Sequence, residues 1–157
     1  MSKKEIKVTS RLSIWSWDEI SKETQELITA ARKATERAYA PHSNFMVGAA
    51  VLLQNGLTYA GSNQENIAYP SGLCAERVAC FAAKSTHPDI AIQQIALVAR
   101  PRDKKEFQLA TPCGSCRQVM SEYETQQQQP IALFLVDGDT IYRSDSIKNI
   151  LPFQFSF

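Results

Sequence analysis

Apolar positions along this chain change period several times, and each change marks an element. From Asp18 onward Leu27, Ile28, Ala31, Ala34 and Ala38 recur at three- and four-residue steps, the period of an amphipathic helix. Asp18 is the expected cap, and Pro41 the expected stop, since proline lacks the N–H a helix needs. "FMVGAAVLL" (45–53) reads as a buried strand, Asn55-Gly56 as a hairpin turn and "LTYAGSN" (57–63) as the partner strand. Gly72 breaks the chain before a helix over about 73–85, and "IQQIALVA" (92–99) is a second apolar strand. Pro112 precedes a third helix over about 114–124; "IALFLV" (131–136) is a third buried strand, and Asp137-Gly138 turns into "TIYRS". A short helix near 146–150 leads to the tail "LPFQFSF". Strands alternating with helices predict an α/β protein with at least some parallel pairing. Residues 1–17, which include Trp15 and Trp17, read as an arm packed on the domain. There is no internal repeat, and the Gln126–Gln129 run reads as a solvated connection ending at Pro130.

Bulk composition narrows the classes. The chain has 157 residues, 44% hydrophobic and 21% charged, which fits one domain with a real core. A formal net charge of +1 argues against a free-standing nucleic-acid binder. The basic stretch at Arg100, Arg102, Lys104 and Lys105 is interrupted by Asp103 and followed by Glu106, so it reads as a solvated loop. No apolar run is long enough to span a bilayer. "MSKKEIKV" has no apolar segment behind it, which predicts no signal peptide and a cytoplasmic location. In that compartment four cysteines are metal ligands or free thiols before they are disulfides.

Three of those cysteines stand at expected helix starts: Cys74, and the pair Cys113 and Cys116 in "PCGSC". Exposed N–H groups and the helix dipole favour thiolate there, and thiolate is what zinc binds. Three protein ligands leave a fourth position open, the pattern of a catalytic zinc rather than a structural one. Cys80 lies six residues past Cys74, roughly 240° around a helix, and is expected in the core. Glu76 shares a site with Cys74 only if Cys74 is a cap residue outside regular helix geometry. A carboxylate so placed can take a proton from a water held there and later return it. The plainer reading of Glu76 is a solvated charge favoured by the helix dipole.

C-x-E followed by P-C-x-x-C is the signature of zinc-dependent nucleobase deaminases in its all-cysteine form. "AYAPHSNFMVGAAV" (38–51), "GSNQENIAYPSGLCAERVA" (61–79), "PCGSCRQV" (112–119) and "ILPFQF" (150–155) together resemble the cytidine deaminases of the three-cysteine, homotetrameric type. The resemblance implies a three-layer α/β/α sandwich with a central mixed sheet, residues 31–157 being the catalytic domain and residues 1–30 an N-terminal extension. It implies one Zn2+ per subunit on Cys74, Cys113 and Cys116, with Glu76 as proton shuttle. Phe45 is then the aromatic packed on the pyrimidine ring. Asn63 and Glu65 bind the ribose 3′-hydroxyl, and Ala75 joins the substrate contacts. Arg77 donates to the cysteine sulphurs, and Phe155 reaches into a neighbouring subunit's site. Two physical points agree with this. Three thiolates on one Zn2+ leave a net negative charge that a guanidinium would offset, and Arg77 and Arg117 each follow a ligand closely. For Arg117 a plain surface cation is an equal reading. His42, where the family usually has Tyr, and Ile67, where it has a small residue, are departures.

The implied activity is hydrolysis of cytidine and 2′-deoxycytidine to the uridines and ammonia, in a homotetramer with shared sites and with no nucleic-acid or membrane partner. Three phenylalanines in "LPFQFSF" agree with a tail buried at an interface. The alternatives are a deaminase of a blasticidin S-type antibiotic, a nucleic-acid editing deaminase, and a non-catalytic zinc module. The ribose pair speaks against the first, the charge against the second and Glu76 against the third.

Overall fold

The computed structural model describes residues 3–156. In chain order the elements are β1 (Ser13–Ser16), α1 (Lys22–Ala34), β2 (Phe45–Leu53), β3 (Thr58–Ser62), α2 (Ala75–Thr86), β4 (Ile92–Pro101), α3 (Gly114–Gln127), β5 (Ala132–Asp137) and β6 (Thr140–Ser144). The strands form one six-stranded sheet in the order β1-β6-β5-β4-β2-β3. Only β4 and β5 pair in parallel, and α3 lies in the connection between them; the other neighbours are antiparallel. The sheet is therefore mixed, as expected.

Both faces of the central strands are covered, which is why they read as unbroken apolar runs rather than alternating ones. Ala49, Val51, Leu53, Ile95, Leu97, Leu133 and Leu135 pack with Ala79, Cys80, Ala83, Cys116 and Met120 of α2 and α3. Their neighbours Ala50, Leu52, Ala96, Val98, Phe134 and Val136 pack with Leu27, Ile28 and Ala31 of α1. This is the three-layer α/β/α sandwich. α1 runs through residue 30 without a break, and β1 is hydrogen-bonded to β6 at the sheet edge.

Two local readings change, and one buried charge adds to them. α1 starts at Lys22, capped by Ser21, whose Oγ accepts the Thr24 N–H at 3.2 Å. Asp18 instead sits in a separate 3-10 turn. Ile20 is the cause: it is extended and buried, and it interrupts the helix to fill the core. Gln127 is more than a solvated link. Its amide donates to Ile92 O at 2.8 Å and accepts the Ile92 N–H at 2.9 Å, holding the end of α3 to the start of β4. Glu124, a charge on a helix, is buried. It accepts from the N–H groups of Ile131, Ile147 and Lys148 and from Ser146 Oγ, so a carboxylate's acceptor capacity is filled.

Gly48 marks the tightest contact between layers. A Cβ there would lie 2.1 Å from Ala31 O and 2.9 Å from Thr35 N, both backbone atoms that cannot yield without moving α1. Gly48→Ala is expected to cost about 3 kcal/mol, the upper range for overpacking. Urea denaturation measures this, and an unchanged midpoint would mean that α1 is free to shift.

Candidate functional site

The site forms where α2 and α3 begin. Cys74 is the N-cap of α2 and Cys113 that of α3, both with extended backbone and neither making a side-chain cap hydrogen bond. Their sulphurs are thus free to turn toward each other, and Cys116 joins them from the first turn of α3. The three Sγ atoms lie within 4.8 Å of one another, with Cys74 and Cys113 at 3.9 Å. A tetrahedral zinc with bonds of about 2.3 Å puts its sulphurs about 3.8 Å apart, so the donor set fits the ion. Cys80 is fully buried in the core under α2 and takes no part.

Charge around the sulphurs is uneven. The hydrogen bond from Cys116 is the largest influence on Cys74; burial opposes it and Arg77 adds to it, and the thiol is lowered to about 5. The same bond pushes Cys116 upward. Burial works against the Arg77 charge, but hydrogen bonding to Cys74 and the nearby sulphur charges hold its pKa above the ordinary value. Arg77 Nε is buried with no hydrogen-bond partner among the described residues, an orphan donor that a thiolate cluster would satisfy.

Glu76 is 3% exposed, in the first turn of α2. Because Cys74 is extended, Glu76 turns to the same side as the sulphurs. Burial pushes its carboxyl up from the ordinary range, and the Cys74 charge adds to this. The solvated-charge reading of Glu76 is therefore excluded by its burial.

A cleft of about 500 Å³ opens over this cluster, lined by Phe45, Asn63, Glu65, Cys74, Ala75, Glu76, Arg77 and Cys113 among others. Asn63–Glu65 lie past the end of β3, yet Gln64 bridges both Tyr39 and Leu73 and keeps the segment extended. Asn63 Oδ1 accepts the Val47 N–H and its Nδ2 donates to Phe45 O, both at 2.9 Å. Glu65 Oε2 accepts the N–H groups of His42 at 2.8 Å and Ser43 at 3.3 Å, and Oε1 accepts the Ser43 hydroxyl. Ser43, Tyr69 and Thr111 also line the cleft and had no signal in the sequence, since isolated residues of these types occur in any loop. His42 lines the cleft as well, its ring edge-on to Tyr69 at 5.9 Å.

The profile of the "Cytidine and deoxycytidylate deaminase zinc-binding region" matches residues 21–130. The chain belongs to the cytidine deaminase family. A cytidine deaminase of Sporosarcina psychrophila is 37% identical over 134 residues, 85% of this chain and 92% of that protein. Among solved structures, the cytidine deaminase from Burkholderia pseudomallei superposes with a TM-score of 0.69 at 37% identity, covering 83% of this chain and 97% of that one. The cytidine deaminase from Mycobacterium tuberculosis gives 0.67 at 30% identity, covering 85% and 98%. The family's cofactor is zinc, one ion per chain, and the three-cysteine cluster has the donor set to hold it.

Phe155 and Arg117 both lie outside this chain's own cleft. Phe155 is 70% exposed and outside its own chain's cleft, its carbonyl accepting from Gln118 Nε2 at 3.0 Å. Phe153 is exposed as well, and Phe157 lies outside the described residues. Arg117 is half-buried rather than a free surface cation. Its guanidinium donates to Pro112 O at 2.8 Å, to Ile150 O at 2.9 Å and to Thr111 Oγ1 at 3.4 Å. It thereby ties the segment before Cys113 to the C-terminal tail. Arg117→Ala is expected to speed zinc loss to a chromogenic chelator by about tenfold, the low end for outer-shell partners. A release rate equal to wild type would show that α3 alone fixes Cys113.

Proposed function

We propose that this protein is a zinc-dependent hydrolase that converts cytidine and 2′-deoxycytidine to uridine and 2′-deoxyuridine with release of ammonia, in the cytoplasm and in the service of pyrimidine salvage. The observation that carries the reading is Glu76: a buried carboxyl with raised proton affinity, lining the same cleft as two of the three clustered cysteines. Zinc on Cys74, Cys113 and Cys116 supplies a water of lowered pKa. Glu76 takes a proton from the attacking water and passes one to ring N3 as the oxygen bonds to C4. It then takes the proton of the new C4 hydroxyl and passes it to the 4-amino group; C4=O forms as the C4–N4 bond breaks, and ammonia leaves with uridine behind. Arg77 offsets the charge of the sulphurs, which keeps the metal acidic enough for this work.

Substrate residues follow from the valences left open. Three of about four acceptor sites on the Glu65 carboxylate are occupied by His42 and Ser43. One Asn63 N–H is taken by Phe45 O, and its other N–H has no partner among the described residues. One acceptor and one donor suit a sugar hydroxyl, which both gives and takes a hydrogen bond; we assign them to the ribose 3′-hydroxyl. Phe45 lies in the same cleft to pack on the pyrimidine, and Ala75 lines it at the start of α2. Phe155 completes a neighbouring subunit's cleft in a homotetramer. Its exposure on a tail strapped to α3 by Arg117 and Gln118 supports that assignment.

Loss of cytidine absorbance tests the chemistry. Glu76→Ala is expected to retain zinc while kcat falls by about 10²–10⁴, the range for a general acid–base. A zinc-loaded wild type that leaves cytidine untouched would instead indicate a structural site or another nucleoside, and a substrate panel including blasticidin S separates those.

The tail gives a second test. Deleting residues 153–157 should weaken cytidine turnover while each chain retains its zinc. Full activity in the truncated protein would refute the shared site.

A further inference from the structure

We propose that Ser43 is a positioning residue for nucleoside binding, acting by aiming the Glu65 carboxylate at the sugar. The inference rests on the reading of Glu65 as the 3′-hydroxyl contact, and assigns a role to a turn outside the metal centre. Ser43 Oγ accepts the Phe45 N–H at 3.1 Å. Its single hydroxyl hydrogen is left to point at Glu65 Oε1, which as a carboxylate only accepts. The hydrogen-bond direction is therefore fixed. The backbone N–H groups of Ser43 and His42 hold the other oxygen, Oε2. Burial works against the charge of Glu65, but the bonds from Ser43 and His42 outweigh it and keep the carboxyl below the ordinary range.

The turn that presents Ser43 is itself tied down. Asn44 has a left-handed backbone, φ 53°, which asparagine tolerates better than most residues. Its N–H donates to Ala40 O at 3.1 Å, and its carbonyl accepts the Arg102 N–H at 2.8 Å. The Glu65 backbone is anchored separately, its N–H donating to Tyr39 O at 2.8 Å. With the main chain held on both sides, the Ser43 hydroxyl is the side-chain link that sets the Glu65 carboxylate's orientation. It also joins that carboxylate to the first residue of β2, Phe45. The sugar contact and the aromatic of the same cleft are thus held in one frame.

Kinetics on two nucleosides test this. With cytidine, S43A is expected to raise KM about tenfold, the scale of one hydrogen bond to a charged group, with kcat within about twofold of wild type. S43T, which retains the hydroxyl, should restore KM. With 3′-deoxycytidine, which lacks the hydroxyl Glu65 would meet, S43A and wild type should share one KM. An equal KM penalty on both nucleosides, or no penalty on cytidine, overturns the proposal. E65Q separates it from the reading beneath it. If E65Q is selective for the 3′-hydroxyl and S43A is silent, only the role of Ser43 fails. If E65Q weakens both nucleosides alike, the sugar contact fails and the role of Ser43 with it, as both would if wild type did not turn over cytidine. Melting temperatures are read alongside; should S43A not fold, S43C, a weaker donor of similar size, makes the same comparison.

Discussion

Everything at this site follows from bringing three sulphurs, which repel one another once ionised, within 4.8 Å. Two devices make that tolerable before any cation arrives. Cys74 and Cys113 stand at the N-caps of α2 and α3, where the unpaired N–H groups and the helix dipoles favour negative charge. Arg77 adds a full positive charge from the first turn of α2. The sheet exists, for function, to aim those two helix starts at one point: α2 enters β4 and α3 leaves it, and both pack on the same face of β4 and β5.

The Asn63–Glu65 side of the cleft uses a different device. Asn63 pairs its side-chain amide with Val47 N–H and Phe45 O, as a neighbouring strand's backbone would. The pairing continues the β2–β3 ladder for one step after β3 has ended, and fixes the amide without consuming all of its hydrogen-bonding capacity. Glu65 is held by a turn rather than a strand. Held backbone on both sides keeps these two polar side chains in place, which would lower the ordering cost of a ligand bound there.

Much of this was legible in the sequence. The continuous apolar runs at 45–53, 92–99 and 131–136 located the central strands, because burial on both faces leaves no polar alternation. C-x-E and P-C-x-x-C located the metal centre, because the sequence spacing works only with a cap at Cys74, and that cap is present. Hidden were contacts whose partners lie far away in the chain. Glu124 looks like a surface charge on α3 until the 146–148 turn folds over it. Arg117 sits beside a ligand in sequence, yet its hydrogen bonds go to the segment before Cys113 and to the tail. Ile20 shows the converse: a helical period that begins too early, because a buried residue in extended conformation overrides the local pattern. In each case long-range packing outweighs a local preference worth less than about 1 kcal/mol.

One tension remains built into α2. The sulphurs call for positive charge close by, but the raised pKa of Glu76 calls for little of it, and Arg77 does act on Glu76 in the lowering direction, against burial and the Cys74 charge. The helix separates the two demands by geometry. Successive residues diverge by about 100°, so Glu76 and Arg77 share a turn without forming an ion pair; the only salt bridge among the described residues is Arg143–Asp145. Four residues on from Glu76, on the same side of the helix, lies Cys80, fully buried, its thiol pushed up to about 12 by burial and next by the Glu76 charge. Burial raises the proton affinity of Glu76 and outweighs the opposing charge of Arg77. A cysteine that binds no metal thus fits the site as a small apolar neighbour of the carboxyl.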